Sequence, residues 1–234
     1  MRLFPRYYRG LDFTQRFKKY QVIELQARKS GQDPRPESFA PDLESVVLGE
    51  SIGTDGGTWR RRLQFFDAVE DQSMCEIQRR QRSERKSLGV FRPLEVAELK
   101  VDAAEEGFAQ AQRALLSEAS LFGNRAGDRA RMPLEPLPVK AKFVYRCSDP
   151  AWPGHEQYFI DWELGALYRR LDKQGADEPT IHAKIREKLF EQYCGDRYDT
   201  RFITGSMLKH PQSFLILGLV HTRRAARLQQ ASLL

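Results

Sequence analysis

Cys147 and His155 stand eight residues apart across a loop rich in proline and glycine. A thiolate and an imidazole at that spacing can supply half of a zinc site, with Cys194 and either His182 or His210 as remote completions. No C-x-x-C or H-x-x-x-H pair accompanies them, so the plainer expectation is a rigid surface loop whose Trp152 and Tyr158 pack or stack, with no metal bound. A second possible chemistry is hydrolysis. Asp161 and Glu163 flank Trp162. On one strand such a pair could hold Mg²⁺ for phosphodiester cleavage, whereas on a helix the two carboxylates point apart. Glu98 and Lys100 make an E-x-K tripeptide on an expected strand, where a metal-bound water could meet a Lys-stabilised phosphate. The upstream acid would be Asp67, Asp71 or Asp42. These four residues, Asp161, Glu163, Glu98 and Lys100, define a metal-dependent nuclease as the alternative, not the leading, reading. No GxxxxGK[ST], GxGxxG or GxSxG occurs, and the four histidines lack the partners of a catalytic triad, so no cofactor is expected.

A third chemistry is the binding of polyanions. The first twenty residues interleave six basic side chains with six aromatic ones, and only Asp12 opposes them. Cations hold phosphates and flat rings stack on bases, so Arg6, Tyr7, Tyr8 and Arg9 suit a single-stranded or flexible nucleic acid. The same alternation also fits the wet edge of a half-buried first strand. Arg60, Arg61 and Arg62 gather at an expected helix start, where cations oppose the helix dipole. Arg79, Arg80, Arg82, Arg85, Lys86 and Arg92 face Glu84 alone within their stretch. From Arg201 onward there are five bases, among them Lys209, Arg223 and Arg224, and no acid. Lys209 also lies with Gly205 and Ser206 on a loop whose amides could hold a phosphate, although an ordinary connection explains that loop equally. Solvated helix faces, a phosphate-tracking surface and a face for an acidic protein are the competing readings of these clusters.

The bulk properties bound the choice. The 234 residues suffice for one large domain or two small ones, and 41% hydrophobic with 30% charged residues describes a globular chain. The net charge of +6 favours polyanionic partners. The longest apolar run, Phe214 to Val220, has strand length, so no membrane partner is expected. Three sparse cysteines suit a reducing compartment, and the expected location is cytoplasmic.

The elements that must position these residues follow from periodicity and punctuation. Strands are expected over 20–27, 45–48, 87–91, 96–101 and 139–147, an extended piece over 158–161, and a final antiparallel pair over 200–204 and 214–221. Thr58 is the expected cap of a helix over 59–69, and Asp71 or Ser73 that of a helix over 74–85, with Met74 and Ile77 inward and Cys75 a further candidate for that face. Further helices are expected over 105–121 and 162–171. Ile181, Ile185, Leu189 and Tyr193 form a stripe on a helix that begins near Pro179 and ends at Gly195. The class is α+β: an N-terminal mixed β/helical part over 1–124, a linker over 125–138 rich in Gly, Pro and Arg, and a C-terminal antiparallel sheet with packed helices over 139–234.

The blocks YRCSDPAWPGHEQYFIDWELGALYRR (Tyr145 to Arg170) and RFITGSMLKHPQSFLILGLV (Arg201 to Val220), and more loosely RPESFAPD (Arg35 to Asp42), resemble uncharacterised bacterial proteins that look like companions of larger gene sets. The resemblance implies a bacterial origin and a two-part chain, with no settled activity. It also implies a cysteine where Trp152 stands, forming a small Cys/Cys/His knuckle, and this chain departs from that pattern. The leading expectation is a nucleic-acid-binding, non-catalytic subunit of a larger bacterial nucleoprotein or defence-type complex, with protein partners. An adaptor for an acidic protein is a further alternative.

Overall fold

The computed structural model describes residues 1–3, 16–31, 33–104, 137–149 and 154–224. Arg6, Tyr7, Tyr8, Arg9, the expected helix over 105–121, Trp152 and the basic tail beyond Arg224 lie outside the described residues. The fold is α+β. Among the described residues no helix is long and apolar enough to cross a membrane.

The described residues form two compact units, one within 1–53 and the other from 54–104 and 137–224. This differs from the division at 125–138 read from composition, because strand pairing joins residues on either side of that linker into one sheet.

In the first unit, β1 (Arg2–Leu3) pairs in parallel with β4 (Ser38–Pro41), which pairs antiparallel with β3 (Ala27–Lys29). A separate ladder joins β2 (Gln21–Glu24) to β5 (Val47–Ser51). The single strand expected over 20–27 is therefore two, and the strand expected at 45–48 starts later, after a 3-10 turn at Leu43–Ser45. One buried charge organises the 33–38 turn. Asp33 is only 2% exposed, and its carboxylate accepts from Arg35 Nη2 at 2.6 Å and Nε at 2.8 Å, and from Ser38 Oγ at 2.7 Å.

The second unit carries two sheets. One orders its strands β12 (Phe214–Arg223), β11 (Tyr198–Ser206), β7 (Leu88–Phe91) and β6 (Glu70–Asp71). The other orders β10 (His155–Tyr158), β9 (Val139–Arg146) and β8 (Glu95–Ala103). A parallel bridge from Phe159 to Ile216 links the two. On β9 the residues Val139, Ala141, Phe143 and Tyr145 alternate inward, as the period of two demands, and Cys147 continues that face past the strand end. Phe143 and Tyr145 meet Phe202 of β11 at centroid distances of 5.0 and 5.3 Å, so rings from both sheets fill one core. Each fully buried ring of this kind contributes roughly 1.5–3 kcal/mol.

Among the described residues the α-helices of this unit are four: α1 (Arg60–Asp67), α2 (Met74–Glu84), α3 (Trp162–Lys173) and α4 (Glu178–Arg186). Ser73 caps α2 by accepting from Glu76 N at 3.0 Å, and Met74, Cys75 and Ile77 point inward, as the sequence predicts. Gly89 leaves room for the Ile77 side chain, which a Cβ there would strike. Ile181, Ile185 and Leu189 are buried along the expected stripe, but the helix relaxes into a π-helical segment over Glu187–Gln192 before Tyr193. The last two strands pair antiparallel as expected, with a bulge at Ile203/Thr204.

The α1 helix is held at its end by charge. Asp67 sits at its C-terminus, where a carboxylate opposes the dipole. Arg201, fully buried on β11, pairs with Asp67 and with Glu70, at 2.7 Å to the latter, and Arg92 bonds Glu70 at 3.0 Å and Asp199 at 3.3 Å.

Two outcomes follow. Replacing Arg201→Met leaves the acidic pair without its buried counter-charge. Because Asp67 is half exposed and can rehydrate, the expected loss is near the low end for a broken buried pair, about 3 kcal/mol by urea denaturation. In the first unit, burial acts to raise the Asp33 carboxyl, but the Arg35 and Ser38 hydrogen bonds and the Arg35 charge outweigh it and hold the group at about 2, against an ordinary 3.8. A depressed folded-state value means this contribution, up to about 2 kcal/mol, is complete above pH ~4 and is lost as pH falls toward ~2. Asp33→Asn should therefore flatten the acid limb of the stability curve and leave the slope at neutral pH unchanged.

Candidate functional site

Two constellations in the second unit bring chemistry-bearing side chains together. The first is thiol and imidazole. Cys75 lies in the first turn of α2, Cys147 follows β9, and His155 opens β10. Their donor atoms form a triangle: Cys75 Sγ to Cys147 Sγ 3.3 Å, Cys147 Sγ to His155 Nε2 3.3 Å, and Cys75 Sγ to His155 Nε2 3.4 Å. All three residues are buried, and this is the one group of three possible metal ligands found among the described residues. Burial, and then the neighbouring Cys147, push the Cys75 thiol up to about 12, while burial lowers His155. The Tyr145 ring stacks on His155 at 5.1 Å and 19°, and its hydroxyl donates to Gln157 Oε1 at 2.7 Å. Arg79, one turn along α2 from Cys75, bonds Asp149 beyond Cys147 at 2.6 Å.

The ligand set read from sequence is corrected in its remote members: neither Cys194 nor His182 nor His210 joins the group. Cys147 and His155 do meet, but their companion is Cys75. Cys194 is elsewhere, its thiol donating to the Leu189 carbonyl at 3.4 Å. Cys75 is eighty residues from His155, and only the packing of α2 on the sheet joins them. Its one local signal was an inward position behind the Ser73 cap.

The second constellation is aromatic and basic. Trp59, at the N-cap of α1, adopts a left-handed φ of 60°, which is costly for a bulky residue. Its ring lies 6.2 Å from that of His221 on β12. Tyr193 stacks on His221 at 3.6 Å and 17°, and Tyr198 meets His221 edge-on at 5.7 Å. All four rings are half-buried. Cations gather around them. Arg62 lies over Trp59 at 4.7 Å, Lys188 lies 5.9 Å from Tyr193, and exposed Arg60 and Arg61 follow Trp59. Arg223 is the cross-strand partner of Tyr198, and Arg224 Nε donates to the Tyr198 carbonyl at 2.9 Å. The helix start tolerates its arginines because Asp55 Oδ2 accepts from Arg61 N at 3.0 Å. The expected capper Thr58 instead donates its hydroxyl to the Asp55 carbonyl.

Of the sequence-predicted cations, Arg62, Arg223 and Arg224 thus border members of this ring group, and Arg60 and Arg61 follow Trp59 in the chain. The α2 cluster is different. Arg79 is held by Asp149, Arg80 by Glu84 and Asp71, and Lys86 by Asp71, while Arg82 Nε donates to Gln212 at 3.1 Å. Arg85 is exposed in a left-handed C-cap of α2, and Lys209 is exposed between β11 and β12. Sequence reasoning missed Trp59, Tyr193, Tyr198 and His221, because three separated segments supply them.

The nuclease residues are not assembled. Asp161 is the N-cap of α3 and accepts from Glu163 N at 2.9 Å, so the D-x-E pair is a helix cap. Lys100 bonds Glu156 at 2.8 Å, as does Lys142, and these two hydrogen bonds hold the Glu156 carboxyl at about 2. The candidate upstream acids Asp67 and Asp71 are committed to Arg201 and Lys86.

Residues 69–234 match a family described as Domain of unknown function (DUF8757), and residues 1–68 match a second, Domain of unknown function (DUF8758). No curated protein and no solved structure matches the chain.

Proposed function

The chain belongs to the family described as Domain of unknown function (DUF8757), and we propose that it binds single-stranded nucleic acid without cleaving it, as a subunit of a larger nucleoprotein assembly. The reading rests on one observation: the contact of Trp59 with His221 brings the chain segment that carries Arg60, Arg61 and Arg62 and the strand end that carries Arg223 and Arg224 to one group of half-buried rings. Guanidinium groups hold phosphates, and each base stacked on an available ring face would add roughly 1–3 kcal/mol. The strained backbone at Trp59 points the same way, since such a conformation persists only where its surroundings fix it and is concentrated at functional positions. The α2 cations contribute little to this reading, because carboxylates of the same chain neutralise most of them.

Anisotropy titrations of a labelled single-stranded oligonucleotide across a NaCl series test it. Affinity should fall with salt, and Arg60→Ala and Arg223→Ala should each lower the log–log salt slope by about 0.7, one single-strand phosphate contact. Lys100→Ala, whose ammonium is bound to Glu156, should leave the slope unchanged. Binding that ignores ionic strength, or equal slopes in all four proteins, would overturn the proposal. Weak nucleic-acid binding beside a stoichiometric acidic protein partner would replace it with the adaptor reading.

A further inference from the structure

We propose that Cys75, Cys147 and His155 bind one zinc ion, which ties the first turn of α2 to the β9–β10 connection. The donor set is the first ground. Two sulfurs and an imidazole nitrogen favour zinc over the hard cations that take oxygen ligands. Tetrahedral zinc at its usual bond lengths separates such donors by about 3.5–3.8 Å. The triangle measures 3.3–3.4 Å, so the side chains need open by only a few tenths of an ångström to admit the ion.

Charge is the second ground. The three residues are 9%, 4% and 8% exposed, a setting in which an isolated charge is costly. Zinc with two thiolates and a neutral imidazole sums to zero. Binding exchanges the ion for the two thiol protons, which leave to solvent, and no net charge enters the interior.

The surroundings are the third. The imidazole plane is fixed by the Tyr145 ring, and Tyr145 is fixed by Gln157, whose amide reaches Met74 Sδ at 3.5 Å. A chain of oriented partners behind a ligand is how proteins hold metal-binding histidines. The Arg79–Asp149 pair joins the same two segments beside the cluster.

The test uses the full chain, reduced, incubated with zinc and desalted. The expected content is one zinc per chain by mass spectrometry of the metal. Cobalt(II) in its place should give a thiolate-to-metal charge-transfer band in the near ultraviolet. Cys75→Ser and Cys147→Ser should lose the ion and weaken that band, and Cys194→Ser should keep both. Because a serine at either buried position can itself impair folding, the unsubstituted protein supplies a second readout: its Tm should rise with zinc and fall with a chelator. Substoichiometric zinc with a Tm indifferent to both, unchanged metal content in Cys75→Ser, or loss of the band in Cys194→Ser would each overturn the assignment.

Discussion

A guanidinium with no access to water must find its counter-charges inside the protein, and Arg201 imposes that requirement on the second unit. It emerges from the middle of β11, between strands it cannot leave. Its partners are Asp67 at the end of α1 and Glu70 on β6. Both acids lie in the segment that connects α1 to the sheet, so satisfying Arg201 decides where α1 ends. Arg92 shares the same carboxylates and adds Asp199, one strand residue from the Tyr198 that borders the aromatic group. The other end of α1 is set by Trp59 against His221. A helix pinned at both ends, with one buried apolar residue, Leu63, owes its placement more to these end contacts than to its own packing. Burying Arg201 thus fixes the end of the helix whose other end carries Trp59 and the three arginines.

The same principle separates cations that remain open to solvent from cations that are spent. The run from Arg79 to Lys86 looks one-sided along the chain, yet Asp71 and Asp149 supply what the run lacks. Asp71 is itself buried, so Lys86 and Arg80 stabilise an interior carboxylate before they can act on a ligand. Arg60 and Arg223 lie exposed at a helix start and a strand end, with rings as their neighbours. Counting charges in a window cannot distinguish these cases, because the counter-charge of Arg79 is seventy residues away.

What the sequence made legible was local. The alternation on β9, the Ser73 cap and the stripe through Ile181, Ile185 and Leu189 each depend on residues within a dozen positions of one another, and the closing hairpin joins neighbouring strands in the chain. What it concealed was long-range. The β8–β9 ladder pairs Ala103 with Val139 across the segment that composition marks as a linker, so the unit boundary moved to the neighbourhood of residue 53. Two of the three members of the thiol–imidazole cluster were visible, because Cys147 and His155 share one connection. Cys75 was visible only as an inward helix residue, since nothing in its own neighbourhood encodes the sheet it meets.

These long-range ties also bear on how the two family segments relate. Trp59 and the three arginines belong to the segment matched by DUF8758, residues 1–68, while Tyr193, Tyr198, His221 and Arg223 belong to that matched by DUF8757, residues 69–234. Yet α1 packs within the second compact unit, not the first. A chain cut at the family boundary would strip Arg201 of Asp67 and remove Trp59 from His221 in one step. Cys75, Cys147 and His155 themselves all lie within 69–234. The thiol–imidazole cluster is therefore drawn from one family segment alone, whereas the basic aromatic group draws its members from both.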